Sequence, residues 1–114
     1  MNKTDDLYLK DILDSILNIE KYVGQISLEE FEEDDMRFFA VIHMFEIIGE
    51  AASKLSRQFL KQNPNFPAKQ AIEMRNVLIH GYDQIKLSRV WDTIKKDLPP
   101  LKQQIEEIIQ SLKS

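Results

Sequence analysis

Hydrophobic residues recur every three or four positions along most of the chain, a spacing that gives a helix one apolar face. The first such segment follows Thr4, a predicted N-cap, and ends at Gly24. Asp5 in its first turn complements the helix dipole. Its apolar positions are Tyr8, Ile12, Ile16, Ile19 and Val23. Ser27 and Glu30 then form a capping-box signature, which predicts a short second helix.

The rest of the chain is also predicted to be helical, with short connections. Pro64 lies where the longest segment ends, Pro67 suits the first turn of the next helix, and Gly81 ends that helix. The remaining helices are predicted over about residues 35–62, 67–80, 88–98 and 99–112. No segment alternates between apolar and polar residues long enough for a β-strand. The pattern predicts a single all-α domain over residues 1–114, an antiparallel bundle of about four or five main helices.

The longest predicted helix is apolar around most of its circumference. Its broad apolar face comprises Phe38, Val41, Ile42, Phe45, Ile48, Ala52, Leu55 and Phe59, which Met36, Met44, Ile47 and Ala51 extend. Its polar flank is narrow and consists of His43, Glu46, Glu50, Ser53 and Arg57. A chain of this length has little room to bury such a helix on every side. We therefore expect the helix to form a subunit interface in a homodimer; the alternative is a central helix in a monomer.

Composition narrows the classes of protein. The 114 residues include no cysteine, which excludes a disulfide scaffold, an iron–sulfur cluster and a thiol nucleophile, and which fits a cytoplasmic location. No apolar run reaches the ~20 residues of a membrane span, and the N-terminus lacks a signal-peptide pattern. The net charge of −4 argues against nucleic-acid binding by bulk charge. However, residues 29–35 hold six carboxylates, and without them 13 acidic residues face 15 basic ones, a charge of +2.

The segment from Arg75 to Tyr82 carries the candidate chemistry. Arg75 falls inside the apolar arc of its helix, where a cation needs a partner or a cleft. Asn76 and His80, four residues apart, lie on another face. Arginine suits a phosphate and its transition state, and histidine suits general acid–base catalysis, so the pair could cleave RNA through its 2′-hydroxyl. With two histidines and no cysteine in the chain, a metal site is not expected. The alternative is a structural arginine paired with Glu46 or Glu50.

The segment Arg75-Asn76-x-x-x-His80-x-Tyr82 resembles the Arg-x4-His-x-Tyr signature of HEPN-domain proteins. Further segments resemble the HepT-like subfamily in the same order. They are Ile48-Gly49-Glu50-Ala51-Ala52, Leu55, Met74-Arg75-Asn76, Val90-Trp91 and Asp97-Leu98-Pro99-Pro100-Leu101. The resemblance extends from about Leu7 to Leu101. The sequence departs from many relatives at Pro67-Ala68-Lys69-Gln70, where those relatives have a tryptophan shortly after the proline.

The resemblance implies an all-helical HEPN domain that dimerises and places two copies of the motif at a shared cleft. It implies a ribonuclease toxin of a prokaryotic type VII toxin–antitoxin pair, acting on RNA without a cofactor. The implied partner is an MntA-type nucleotidyltransferase antitoxin in a higher-order complex. In this family the antitoxin can neutralise the toxin by transferring AMP to the motif tyrosine, which is Tyr82 here.

The resemblance also suggests a role for each residue of the site. Arg75 would bind the scissile phosphate and stabilise its transition state, and His80 would be the general base or acid. Asn76 would orient the imidazole or the RNA, and Tyr82 would accept AMP and offer a ring for base stacking. Glu50 would hold Arg75 in place; the alternative for Glu50 is a surface ion pair with the lysine four residues later.

The sequence also allows two other functions. The first is a non-catalytic HEPN module that binds nucleotide or serves as the partner of a nucleotidyltransferase. The second is a structural helical dimer in which Arg75 only neutralises a buried carboxylate. Outside the motif, we expect His43 to be an ordinary helix histidine and Trp91 to lie in the core.

Overall fold

The computed structural model describes the backbone of residues 3–80 and 87–113 and the side chains of residues 4–75 and 87–112. Every regular element in these ranges is helical, which confirms the predicted all-α class. The elements are α1 (Lys3–Val23), α2 (Leu28–Glu32), α3 (Asp35–Ser53), α4 (Arg57–Gln62), α5 (Ala68–His80), α6 (Leu87–Asp92), a π-helical segment (Thr93–Asp97) and α7 (Leu98–Lys113). Within the described ranges, no helix has the length and apolarity needed to cross a membrane.

Helix α3 lies at the centre of the bundle, between α1 and α5, and packs extensively against both. Helix α1 runs antiparallel to α3. At one end of this pair, Asp5 of α1 bonds to Ser56, which follows α3. At the other end, the amide of Asn18 lies 3.7 Å from the sulfur of Met44. The central position of α3 explains why apolar residues surround most of it.

The single chain buries most of the apolar surface of α3. Its buried residues are Val41, Ile42, Met44, Phe45, Ile48, Gly49, Ala51 and Ala52. Our expectation that a chain of this length could not bury the helix was therefore wrong, because α1 and α5 cover it from two sides. Two large apolar side chains near its N-terminus remain on the surface: Met36 is 85% exposed and Phe39 is 52% exposed. The homodimer itself stays a prediction.

The longest predicted helix is in fact two helices, because the chain leaves α3 after Ser53 and begins α4 at Arg57. Ser56 caps α4, since its hydroxyl accepts a hydrogen bond from the Phe59 N–H. The carboxylate of Asp5, 2% exposed, accepts hydrogen bonds from the Ser56 N–H at 2.8 Å and the Ser56 hydroxyl at 2.6 Å. This buried carboxylate from α1 fixes the break, so Asp5 does more than complement its own helix dipole.

The boundary predicted between residues 98 and 99 is also wrong, since the chain stays helical from Leu87 to Lys113. A π-helical turn at Thr93–Asp97 takes the place of the break, and the Leu98 N–H bonds to the carbonyl of Thr93 five residues earlier. Proline at positions 99 and 100 has no N–H to donate to the carbonyls four residues back. The wider turn therefore accommodates the two prolines without ending the helix.

Several local signals act as the sequence predicts. Gly24 ends α1 with a positive φ of 54°, a conformation that glycine adopts without strain. Ser27 and Glu30 form the complete capping box at the start of α2. Thr4, however, lies inside α1, which begins at Lys3, so the prediction of Thr4 as the N-cap is wrong. The predicted helix end at Gly81 lies outside the described residues.

Two contacts tie the C-terminal helices to the rest of the bundle. Phe31, fully buried in α2, packs against Trp91 with ring centroids 5.4 Å apart, and the Lys95 ammonium lies 4.7 Å from the Trp91 ring centre. Trp91 thus contacts the core, as expected. On α7, the Lys102 ammonium donates to the Glu20 carboxylate of α1 at 2.9 Å. That hydrogen bond raises the pKa of Lys102, and burial opposes it.

Candidate functional site

Helices α3 and α5 approach each other closely at Gly49 and Arg75. A Cβ atom at position 49 would overlap the Cβ of Arg75 and would lie 3.2 Å from its Cγ and Cδ. Only glycine leaves room for the Arg75 side chain to cross α3 at this point. The sequence shows Arg75 as an unusual cation inside an apolar arc. Only the folded structure shows that Gly49 leaves space for its side chain.

The Arg75 side chain crosses Gly49 to reach Glu50, the next residue on α3. Arg75 Nη1 donates to Glu50 Oε2 at 2.7 Å, a distance typical of a charge-assisted hydrogen bond. The Arg75 side chain is 23% exposed and that of Glu50 55%, so the pair lies at the edge of the core. The predicted contact between these two residues is therefore present, and of the two carboxylates considered for Arg75 it involves Glu50.

Glu50 also makes the contact that we considered as its alternative. Its second oxygen, Oε1, lies 3.3 Å from Lys54 Nζ, one helical turn further along α3. The two interpretations of Glu50 do not exclude each other, because each carboxylate oxygen has its own cation. The Lys54 ammonium also lies 6.0 Å from the centre of the Tyr8 ring on α1. Lys54 and Tyr8 were not predicted to belong to the site.

Arg75 retains donor capacity after binding Glu50. Its Nε is buried and has no hydrogen-bond partner among the described residues. A buried donor without a partner is uncommon in folded proteins and marks a position where another acceptor would be stabilised. An arginine that one carboxylate holds through a single nitrogen is a suitable anion-binding group, because a phosphate can take two parallel hydrogen bonds from a guanidinium.

These side chains border an open cleft of about 370 Å³ between α1, α3 and α5. The cleft is lined by Tyr8, Asp11, His43, Glu46, Ile47, Glu50, Ala51, Lys54 and Arg75. Among these described lining residues three carboxylates outnumber two permanent cations, so of this set Arg75 and Lys54 are the groups that favour an anion. His43 is 66% exposed, and its Nδ1 lies 3.9 Å from the Glu46 carboxylate one turn along the same helix.

The remaining predicted site residues lie largely beyond the described part of the chain. The backbone of α5 carries Asn76 and His80 at its C-terminal end, but their side chains lie outside the described residues. Tyr82 lies outside them altogether. Of the predicted set, Arg75 and Glu50 are brought together. The described side chains contain no group of three or more histidines and carboxylates placed to hold a metal ion.

Comparison with known proteins places the chain in a family. The model of the family described as ribonuclease HepT-like matches residues 12–108. A "Probable ribonuclease HepT" from Thermococcus cleftensis is 36% identical over 108 residues, covering 95% of this chain and 98% of the relative. Two proteins named "Putative RNase" are equally similar. One, from Methanocaldococcus jannaschii, is 36% identical over 93% of this chain and 98% of its own length. The other, from Caldanaerobacter subterraneus subsp. tengcongensis, is 36% identical over 97% and 99%.

No solved structure matches the chain significantly. The family match covers α3 and α5, including Gly49. It therefore includes the residues of both ion pairs of the site, Glu50, Lys54 and Arg75. A match of this extent, together with near-complete relatives at more than a third identity, establishes membership. The chain therefore belongs to the ribonuclease HepT-like family.

Proposed function

We propose that this protein is a metal-independent endoribonuclease that acts as the toxin of a type VII toxin–antitoxin pair. Family membership supports the ribonuclease activity, because the matched family and the near-complete relatives are named as ribonucleases. The observation that carries the assignment of the site is Arg75, a family-motif arginine that Glu50 orients and whose Nε has no hydrogen-bond partner among the described residues. The finer roles, the toxin activity and the antitoxin follow from the resemblance of the motif.

The chemistry of the proposed site needs two groups. Arg75 binds the scissile phosphate and stabilises the charge that develops at phosphorus when the 2′-hydroxyl attacks. His80 removes the 2′-hydroxyl proton or protonates the leaving oxygen, since imidazole titrates near neutral pH. Asn76 orients the imidazole or the RNA, and Tyr82 stacks on a base. Because RNA supplies its own nucleophile, the reaction requires no metal ion and no cofactor.

The proposed functional unit is a homodimer that joins two copies of the motif at one cleft. The exposed Met36 and Phe39 on α3 support self-association, because large apolar side chains on a surface gain stability when a partner covers them. Sedimentation equilibrium of the purified protein tests this step. A monomer at every concentration would contradict it.

The proposed regulator is a cytoplasmic nucleotidyltransferase of the MntA type, bound in a higher-order complex. Transfer of AMP to Tyr82 would add bulk and negative charge next to an anion site, which blocks RNA by steric exclusion and repulsion. Mass spectrometry after incubation with that enzyme and ATP would show one added AMP per chain. Tyr82→Phe would abolish the addition, and modification at any other residue would contradict the assignment of Tyr82.

The test of the ribonuclease site is cleavage of single-stranded RNA with excess EDTA present. We expect the parent to cut, and Arg75→Ala and His80→Ala each to lose roughly a hundredfold or more of the rate. Arg57→Ala is the matched control, since Arg57 is an exposed arginine on α4. If both motif variants cut RNA as fast as the parent, the assigned site is wrong. If EDTA abolishes the activity of the parent, the metal-independent mechanism is excluded. RNA binding without cleavage would favour the non-catalytic module.

A further inference from the structure

Glu50 stands between two cations and binds each through a different oxygen. Oε2 accepts from Arg75 Nη1 at 2.7 Å, and Oε1 lies 3.3 Å from Lys54 Nζ. A carboxylate that meets an arginine without competition often binds in the bidentate form, with both oxygens on the guanidinium. Here the second oxygen is engaged by Lys54, and the Arg75 Nε remains without a partner among the described residues.

We propose that Lys54 is a positioning residue that keeps Glu50 bound to Arg75 through one oxygen only. The remaining guanidinium donors of Arg75 then stay free for a phosphate of the RNA. This inference rests on the proposed function, because it assigns to Lys54 the control of the same anion site. Without Lys54, Glu50 would close onto Arg75 with both oxygens and compete with the phosphate.

The position of Lys54 suits this role. It caps the C-terminus of α3, where its backbone N–H bonds to the carbonyls of Ala51 and Ala52, and a cation is favoured at that end of the helix dipole. The order Glu50 then Lys54, with four residues of separation, is the favourable orientation of such a pair. The Tyr8 ring lies 6.0 Å from the ammonium and borders it on the α1 side. The Lys54 side chain therefore lies between Glu50 of its own helix and Tyr8 of α1.

A general loss of positive charge would also weaken RNA binding, so the test must separate charge from contact. The exposed Lys61 on α4 provides the matched control, because Lys61→Met removes the same charge without touching Glu50. Lys54→Arg keeps the charge and serves as the conservative variant. Glu50→Gln removes the carboxylate through which Lys54 is proposed to act.

The first experiment needs no RNA. Phenylglyoxal modifies free guanidinium groups, and peptide mass spectrometry gives the rate at Arg75, with the exposed Arg57 as the internal reference. We expect Lys54→Met to slow modification of Arg75 about two- to fivefold, the range set by the weak coupling of partly exposed ion pairs. Lys54→Arg and Lys61→Met should match the parent, and Glu50→Gln should modify faster. An Arg75 rate in Lys54→Met equal to that in Lys61→Met would overturn the proposal.

The second experiment measures binding of a fluorescent single-stranded RNA oligonucleotide by anisotropy. Lys54→Met should weaken binding about two- to fivefold more than Lys61→Met in the parent, and no more than Lys61→Met in the Glu50→Gln background. An equal effect of Lys54→Met in both backgrounds would show a simple charge effect and overturn the inference. If Arg75→Ala binds RNA like the parent, or if the parent binds none, the proposed RNA site is wrong, and the phenylglyoxal rates alone then decide the role of Lys54.

Discussion

Replacing Gly49 with alanine places a methyl group where α3 and α5 meet. The new Cβ would overlap the Cβ of Arg75, which is fixed to its own backbone and cannot turn away by a change of rotamer. The helices must therefore move apart. A shift of roughly 1 Å would stretch the hydrogen bond between Arg75 and Glu50, now 2.7 Å, beyond the usual range. The substitution thus perturbs both the fold and the candidate site.

Two opposing effects set the size of the change in stability. Alanine is favoured over glycine in a helix by about 1 kcal/mol. Overpacking a buried contact costs about 1–3 kcal/mol, and the upper end applies here because both overlapping atoms are attached directly to backbones. We expect Gly49→Ala to lower the free energy of unfolding by about 1–2 kcal/mol. For a domain of this size that corresponds to a fall in Tm of about 4–8 °C.

Urea and thermal unfolding followed by circular dichroism measure this change directly. Ser53→Ala is the control, because Ser53 is an exposed residue of the same helix whose hydroxyl bonds only to the Glu50 carbonyl among the described residues. Its free energy of unfolding should stay within about 0.5 kcal/mol of the parent. If Gly49→Ala were as stable as the parent or more so, helix propensity would outweigh the contact and the close approach of α3 and α5 would be refuted.

Two further predictions concern contacts that tie helix α1 to other parts of the bundle. Asp5→Ala should destabilise the fold by about 3 kcal/mol in urea unfolding, because it removes a buried carboxylate that accepts two hydrogen bonds from Ser56. Lys102→Met should cost less than about 1 kcal/mol near pH 8, since the ion pair with Glu20 is partly exposed. The raised pKa of folded Lys102 means that its contribution is complete below about 10.5 and is lost as the pH rises through the folded pKa.

Each of these two predictions has a control variant and a result that would contradict it. Asp6→Ala removes a neighbouring exposed carboxylate from α1 and should leave stability almost unchanged, so equal effects of the two aspartate variants would contradict the role of Asp5. Lys10→Met removes an exposed lysine from the same helix as Glu20. If the stability difference between the parent and Lys102→Met persisted in strongly alkaline solution, the ion pair would not be its source.

Much of the fold follows from short-range sequence signals, such as helix caps and helix-ending glycines. Gly24 and the capping box of Ser27 and Glu30 act within four residues, so their outcome does not depend on the rest of the chain. Arg75 could be recognised as needing a carboxylate because an unpaired cation in an apolar arc is costly. Glu50 is a candidate partner because it lies on the polar flank of the longest predicted helix, and the structure shows Arg75 in contact with it.

The sequence by itself determined the all-α class, most helix positions and the need of Arg75 for a partner, since helix periodicity and capping are local properties. Only the tertiary structure decided where the longest helix breaks, because the carboxylate that fixes Ser56 comes from Asp5, 51 positions earlier. The tertiary structure also shows that Gly49 leaves space for the Arg75 side chain, and that each oxygen of the Glu50 carboxylate contacts a different cation. Such contacts depend on how closely two helices approach, a distance that the sequence pattern of either helix alone does not contain.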